Sequence, residues 1–262
     1  MGAQTINNTL NVLSRIFKTA IKRKLVASNP VALVDRPKAR RSERRVLTPV
    51  EIGRVLRAFG ELIDEATDAR RQDDLEACRM AFALMVDSGI RKAEALGLRW
   101  SRVFLAGPNG PRLRIEETFT YNRWDTPKSE AGKRTIEISE PVAAMLMDYR
   151  ALTPYKADGA LVFANWRTGN PADPHIIVTL LREAHNRAEI EGAGEFTLHD
   201  LRRTSLTSGA AAGVSPIALQ ARAGHSSFAT TKRYLMLAGV GFEAETAKHS
   251  ERLWGAPVEA VD

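Results

Sequence analysis

The chain has 262 residues and a formal net charge of +7, with 44% hydrophobic and 26% charged residues. These values are ordinary for a globular protein with a sizeable core, and no apolar run approaches the roughly 18–20 residues that cross a bilayer. The N-terminus has no signal-peptide pattern, so we expect a cytoplasmic protein that does not contact membranes. The single cysteine, Cys78, excludes an intramolecular disulfide and is expected to be a buried thiol rather than a nucleophile.

The positive charge is concentrated at the N-terminal end. Residues 1–48 contain eleven Lys and Arg but only two acidic residues. Such a run is typical of a solvated helix face and linker, and also of a surface that contacts a phosphate backbone without reading its sequence. The residues that we predict to contact a polyanion such as DNA are Lys22, Arg23, Lys24, Arg40, Arg41, Arg44 and Arg45.

The first element in the chain is an amphipathic helix predicted for residues 5–27. Its apolar residues recur every three or four positions, which is the period of one helix face; they are Ile6, Leu10, Leu13, Phe17, Ile21 and Leu25. The pair Asn29-Pro30 should end this helix, because the residue before a proline is disfavoured in the α region. The polar residues 37–46 lack periodicity and indicate a linker. We therefore predict two domains, at residues 1–45 and 46–262.

The second domain is predicted to begin with a capped helix. Thr48 suits the N-cap, Pro49 the first helical position, and Glu51 can complete a capping box. The helical stretch that follows should end at Gly89, which fits a left-handed C-cap. A new short helix should begin around Arg91.

The middle of the chain contains the predicted strands. Residues 112–120 and 134–138 alternate as strands do, and residues 128–133 would connect them as a β-hairpin arm. Further elements are predicted as helices at residues 140–152, at 174–190 and in pieces from residue 197 onward, with a short strand at 161–163. The fold class is therefore α+β and mainly helical, with a small antiparallel sheet and hairpin arm, preceded by one N-terminal helix.

Five residues of the second domain form an ordered set that suits phosphodiester cleavage without a metal. In-line attack at phosphorus builds negative charge on the non-bridging oxygens, which arginine neutralises with a planar fork of donors. Arg91 and Arg202 are the candidates for that role, and His199 lies one helical turn before Arg202. Tyr234 follows His225 by nine residues and provides a nucleophile once its oxyanion is stabilised. Each residue alone is more often structural, but the ordered set favours catalysis.

Four segments resemble the boxes of the tyrosine recombinase, or phage integrase, family. Residues 88–100 (Ser-Gly-Ile-Arg-Lys-Ala-Glu-Ala-Leu-Gly-Leu-Arg-Trp) resemble its first-arginine box, and residues 197–204 (Thr-Leu-His-Asp-Leu-Arg-Arg-Thr) its His-x-x-Arg box. Residues 223–234 contain Gly-His followed by Thr-Thr-Lys-Arg-Tyr, similar to the nucleophile box, and residues 127–136 resemble the hairpin that carries a catalytic lysine. The four segments stand in the family's order, and the resemblance implies the family's catalytic-domain fold.

The resemblance also implies a role for each matching residue. Tyr234 attacks the scissile phosphate, forms a 3′-phosphotyrosyl bond and releases a 5′-hydroxyl. The non-bridging oxygens are bound by Arg91, Arg202 and His225. His199 helps to manage the tyrosyl proton and bonds to the phosphate.

Two further roles concern the hairpin and the first-arginine box. Lys128 protonates the leaving 5′ oxygen; Lys133 lies in the same turn and is the alternative, although the family lysine precedes the following strand by about the distance of Lys128. Glu94 occupies the acidic position beside the first arginine and is expected to orient its partners. No cofactor and no metal are implied, since the phosphotyrosyl bond conserves the energy of the broken linkage and the histidines lack ligand spacing.

The implied partners are double-stranded DNA attachment sites, a homotetramer assembled on DNA from free monomers, and an accessory directionality factor, at a nucleoid-associated location. The chain departs from the family at its N-terminal side, where residues 5–37 resemble only the closing helix and linker of a core-binding domain. Residues 242–254 should form a helix that packs on its own domain or on a neighbouring subunit. The expected function is site-specific DNA recombination; the alternatives are a truncated, non-catalytic DNA-binding protein and a type IB topoisomerase-like strand transferase.

Overall fold

The structure is a computed structural model, and it describes residues 2–38, 45–126, 132–192, 196–239, 250–253 and 255. The chain divides into two compact units, Met1–Arg45 and Val46–Asp262. Within the described residues, every helix is too short or too polar to cross a membrane.

The first unit contains helix α1 (Ala3–Lys22) and one turn of 3-10 helix (Pro30–Leu33). The prediction that α1 extends to residue 27 was wrong, because Lys24 adopts a left-handed conformation with φ of +58° and closes the helix. Asn29 begins an element instead of ending one: its side chain accepts a hydrogen bond from the N–H of Val31 at 3.1 Å and caps the 3-10 helix. The apolar face of α1 has no buried residue.

The second unit is built around a long central helix, α3, which has buried residues on all sides. It contains the helices α2 (Pro49–Glu65), α3 (Ala69–Ser88), α4 (Lys92–Leu96), α5 (Glu140–Leu152), α6 (Pro174–Arg187), α7 (Leu198–Ala211), α8 (Pro216–Ala223) and α9 (Phe228–Leu237). The predicted capping box is confirmed, since Thr48 and Glu51 exchange hydrogen bonds between side chain and backbone. The predicted burial of Cys78 is also confirmed at 1% exposure, and burial raises the pKa of its thiol.

Two small antiparallel sheets lie between α4 and α5. The first has the strand order β1 (Val103–Phe104), β2 (Arg112–Ile115), β5 (Arg134–Glu137), and the second pairs β3 (Thr118–Thr120) with β4 (Arg123–Asp125). In the first sheet, Leu113 is paired with Ile136 and both are buried.

The prediction of one strand over residues 112–120 was wrong, because that segment contributes to both sheets and is interrupted at Glu116 and Glu117. Glu116 pairs with Arg102 at 2.6 Å and Glu117 pairs with Arg99 at 3.1 Å. Both ion pairs are formed with the segment directly before β1.

The predicted strand at residues 161–163 was also wrong. Leu161 forms an isolated bridge with Arg99, and the N–H of Val162 donates to the carbonyl of Leu98 at 2.8 Å. The carbonyl of Phe163 accepts from a different segment, around residue 172. The run is apolar because it is buried in the core, and its backbone bonds are divided between two neighbours instead of forming one ladder.

Candidate active site

A left-handed turn between α3 and α4 positions the first arginine. Gly89 has φ of +68°, and a Cβ at this position would lie 3.0 Å from Oγ of Ser205, so the turn requires glycine. The turn directs the carbonyl of Gly89 toward α7, where it accepts a hydrogen bond from Nη1 of Arg202 at 2.7 Å. Arg91 follows two residues later, with its side chain 40% exposed.

Arg202 lies on α7 and is enclosed by protein, with 1% of its surface exposed. Its Nη1 bonds to Gly89, and its Nη2 donates to the carbonyl of Ala223 at 2.7 Å, so one guanidinium bridges the ends of α3 and α8. Burial, and then the charge of Arg91, lower the pKa of Arg202 to about 10. His199, one turn earlier on α7, is exposed.

His225 follows the C-terminal end of α8 directly. Gly224 ends the helix with φ of +60°, and the imidazole of His225 is then placed between Arg202 and Thr231. Its Nε2 lies 2.9 Å from Nη2 of Arg202, and its Nδ1 lies 3.0 Å from Oγ1 of Thr231. Burial, and then the charge of Arg202, lower the pKa of His225 to about 4, so the imidazole is neutral at neutral pH.

Tyr234 lies on α9 beside His225 and is 8% exposed. Its ring is parallel to that of His225, with centroids 5.8 Å apart and an interplanar angle of 8°. The phenol also packs in a small apolar cluster that includes Leu206 and Leu219. Helices α7, α8 and α9 therefore bring Tyr234, His225 and Arg202 together.

Glu94 is 2% exposed and bonds to two arginines. Its Oε1 accepts from Nη1 of Arg91 at 2.7 Å and from Nη1 of Arg134 at 3.0 Å, and its Oε2 accepts from Nη2 of Arg134 at 3.0 Å. Burial raises the pKa of Glu94, but the hydrogen bonds and charges of Arg134 and then Arg91 outweigh it, so the pKa is lowered. The carboxylate is therefore ionised.

The cluster consists of Arg91, Glu94, Arg134, Arg202, His225, Thr231 and Tyr234. Sequence reasoning missed two of these residues, Arg134 and Thr231. A signal for Arg134 was present: in the predicted strand it has the same parity as the apolar Ile136, and residues two apart in a strand face the same side. Thr231 is 1% exposed and lies one helical turn before Tyr234 on α9, a spacing that places both on one face.

Some predicted site residues lie elsewhere. Lys128 falls outside the described residues, and its alternative Lys133 is described and exposed, directly before β5. Of the predicted DNA-contacting residues, Lys22, Arg23, Lys24 and Arg45 are exposed in the first unit, whereas Arg40, Arg41 and Arg44 fall outside the described residues. The predicted C-terminal helix falls largely outside them as well, although residues 250–253 are helical.

The cluster combines fixed positive charge with a phenol. These are the groups needed to bind a phosphodiester and to attack it. Its only described carboxylate, Glu94, is bonded to arginines. In the described part of the chain, no three His, Cys, Asp or Glu residues are grouped as metal ligands would be. A cavity of about 290 Å³ lies beside α3 and α6, but its lining, which includes Asp73 and Trp166, contains none of the cluster residues.

Comparisons with known proteins give one consistent family. The model of the phage integrase family matches residues 60–239. The tyrosine recombinase XerC of Mesorhizobium japonicum is 27% identical over 237 residues, covering 89% of this chain and 68% of that protein. The integrase of Mycobacterium phage FRAT1 is 26% identical, covering 94% of this chain and 69% of that protein.

Solved structures share the fold. The Tn1549 transposon integrase in complex with a circular intermediate DNA matches with a TM-score of 0.72 and 22% identity, covering 97% of this chain and 80% of that one. The XerA recombinase matches with a TM-score of 0.56 and 19% identity, covering 95% and 84%. The predicted fold class and the resemblance drawn from the four sequence boxes are confirmed.

Proposed function

The chain belongs to the phage integrase family, whose members, the tyrosine recombinases, are DNA strand-transferring enzymes, and we propose that it cuts and rejoins DNA at specific sites through Tyr234. The observation that carries this proposal is the position of His225, which contacts the guanidinium of Arg202 on one side and the ring of Tyr234 on the other. A nucleophile and the groups that neutralise a phosphate are thereby adjacent.

In the proposed cleavage step, the oxygen of Tyr234 attacks phosphorus and the bond to the 5′ oxygen breaks. The negative charge on the non-bridging oxygens is neutralised by Arg91 and Arg202, with His225 as a hydrogen-bond donor. Arg91 is the most exposed of these groups and so meets the DNA first. Arginine suits this role because it stays charged even where burial and a neighbouring charge lower its pKa.

Two proton transfers complete the step. The tyrosyl proton passes to His199, which is exposed on α7, and the leaving 5′ oxygen takes a proton from a hairpin lysine, Lys128 or the alternative Lys133. A 5′-hydroxyl from the exchanging strand then attacks the phosphotyrosyl bond, which rejoins DNA without an external energy source.

The proposed partner is double-stranded DNA, and solved relatives such as the Tn1549 integrase are bound to DNA. We extend the proposal to a homotetramer on two attachment sites, formed from monomers, with an accessory directionality factor and a nucleoid location. The exposed basic residues of the first unit, Lys22, Arg23, Lys24 and Arg45, would contact phosphates, as part of the closing helix and linker of a core-binding domain.

A covalent-trapping selection tests the proposal. Nicked duplexes with a randomised core are incubated with the protein in the presence of a chelator, and DNA bound covalently under denaturing conditions is recovered and sequenced. A wild-type adduct on an enriched sequence, absent from Tyr234→Phe, is expected. Binding without an adduct would overturn the proposal in favour of a DNA-binding protein. Adducts without sequence enrichment, together with relaxation of supercoiled plasmid, would point to a topoisomerase-like activity.

A further inference from the structure

Three successive carbonyl groups at the C-terminal end of α8 each accept a hydrogen bond from a different arginine. The carbonyl of residue 222 accepts from Nε of Arg134 at 2.7 Å, that of residue 223 from Nη2 of Arg202 at 2.7 Å, and that of residue 224 from Nη2 of Arg91 at 2.9 Å. Carbonyls at a helix C-terminus lack partners within the helix and carry the negative end of its dipole. The end of α8 therefore gathers three positive charges that would otherwise repel one another.

A single carboxylate links two of these arginines. Glu94 accepts from Arg91 and Arg134 through Oε1, and from Arg134 again through Oε2. Its Oε2 also accepts from the backbone N–H of Arg91 at 2.7 Å. The orientation of Arg91 is thus set by Glu94, and the orientation of Glu94 is set by the paired bonds of Arg134.

Arg134 itself is directed into the protein. Its side chain is 7% exposed, compared with 40% for Arg91. Besides Glu94 and the carbonyl of residue 222, it donates to the carbonyl of Gly132 at 3.1 Å, at the end of the hairpin. All three nitrogens of this guanidinium donate to protein groups, and its charge is paired with the carboxylate of Glu94, so Arg134 is suited to holding other groups in place.

We propose that Arg134 is a positioning residue for strand cleavage: it fixes Glu94 and the last turn of α8, and through them the guanidinium of Arg91 that binds the scissile phosphate. This inference rests on the proposed function, because it assigns Arg91 to phosphate binding. It differs from a purely structural role in requiring that the effect of Arg134 on cleavage depend on Arg91.

The test compares Arg134→Gln and Arg134→Lys with a control, Arg150→Gln. Arg150 also donates to a backbone carbonyl, that of Lys156, and to a carboxylate, that of Asp158. The full chain is used, with the duplex enriched in the trapping selection. Three quantities are measured for each variant: the single-turnover rate of adduct formation, DNA affinity with the additional change Tyr234→Phe, and the free energy of unfolding in urea.

We expect Arg134→Gln to lower the cleavage rate about 100-fold, similar to the loss of one transition-state donor, while DNA affinity changes by less than about threefold, roughly 0.65 kcal/mol. Arg134→Lys, which keeps the charge, should cleave about tenfold faster than Arg134→Gln. Arg150→Gln should cleave at the wild-type rate. A cleavage rate that falls only in proportion to the unfolded fraction would show a structural role and overturn the inference.

The dependence on Arg91 is measured in an Arg91→Lys background. There, the further change Arg134→Gln should lower the rate by less than about threefold, because the group that it positions is already altered. If the two losses multiply, Arg134 does not act through Arg91 and the inference is wrong. If Arg134→Gln does not fold, the same comparison is made with Arg134→Lys. This variant should cleave about tenfold more slowly than wild type when Arg91 is present, and should cause no further loss of rate when position 91 is Lys.

The wild-type protein separates the two proposals. If it forms no adduct on any duplex, the proposed function itself fails. If it forms the adduct and Arg134→Gln forms it equally fast, the recombinase proposal stands and only the role of Arg134 is overturned.

Discussion

Arg202 donates a hydrogen bond from Nη2 to Nε2 of His225, at 2.9 Å. Because a guanidinium can only donate, Nε2 must accept, and the neutral imidazole carries its proton on Nδ1, which donates to Oγ1 of Thr231 at 3.0 Å. To donate from Nε2 to a phosphate oxygen, His225 has to adopt the other tautomer. The hydroxyl of Thr231 can then donate to Nδ1, so Thr231 satisfies both tautomers.

The first prediction concerns this hydroxyl. Thr231→Val removes the hydrogen bond made by a residue that is 1% exposed. It should lower the single-turnover cleavage rate about tenfold, because an unsatisfied buried partner costs about 1–3 kcal/mol. Thr231→Ser keeps the hydroxyl and should stay within about threefold of the wild-type rate. Rates are compared at saturating protein, under conditions where urea titration shows each variant to be folded. Equal rates for the Val and Ser variants would contradict the role of the hydroxyl.

The second prediction concerns pH. The pKa of His225 is lowered from 6.5 to about 4 in the folded protein, so the unfolded chain binds more protons between these values and folding is weakened as pH falls through this range. From pH 7 to pH 5, wild type should lose about 1–2 kcal/mol more unfolding free energy than His225→Gln. Burial also lowers the pKa of His185, but that contribution is common to both proteins and cancels. Urea titrations at both pH values measure the difference, and parallel losses would contradict it.

Much of the site could be predicted because its residues are placed by local rules. The left-handed end of α3 follows from a glycine after an apolar helical run, and the start of α2 follows from the capping sequence at Thr48. These signals depend on a few neighbouring residues. The ordered set of catalytic candidates indicated the family, and the family implied the fold class.

The parts that were missed depend on distant contacts. The N–H of Val162 donates to Leu98, whereas the carbonyl of Phe163 accepts from Ala172, so an apolar run alone did not distinguish isolated bridges from a strand. Likewise, the partners of Arg134 are 40 and 88 residues away in sequence, at Glu94 and Arg222. Strand alternation indicates that Arg134 faces inward, but not which groups it meets.

The third prediction concerns the turn that precedes Arg91. Gly89→Ala should destabilise the protein by about 1–3 kcal/mol, because alanine is strained at a φ of +68° and its Cβ would press on Ser205. The matched control is Gly53→Ala in α2, where a Cβ has open space, and which should stabilise by about 0.5–1 kcal/mol. Denaturant unfolding of both variants measures whether each change lowers or raises the free energy of unfolding. A neutral Gly89→Ala would mean that the turn does not need glycine.

The last prediction separates the two phosphate-binding arginines by their burial. Arg202 reaches the carbonyls of Gly89 and Ala223 with different nitrogens, and a single lysine ammonium cannot span both. Arg202→Lys should therefore lower the free energy of unfolding by about 2–4 kcal/mol, since a buried charge loses partners. Arg91 is 40% exposed, so Arg91→Lys should cost less than about 1 kcal/mol of stability. Both should slow adduct formation about 100-fold when the folded fraction is taken into account. Urea unfolding and single-turnover trapping of the same preparations test this, and equal destabilisation by the two variants would contradict the separate structural role of Arg202.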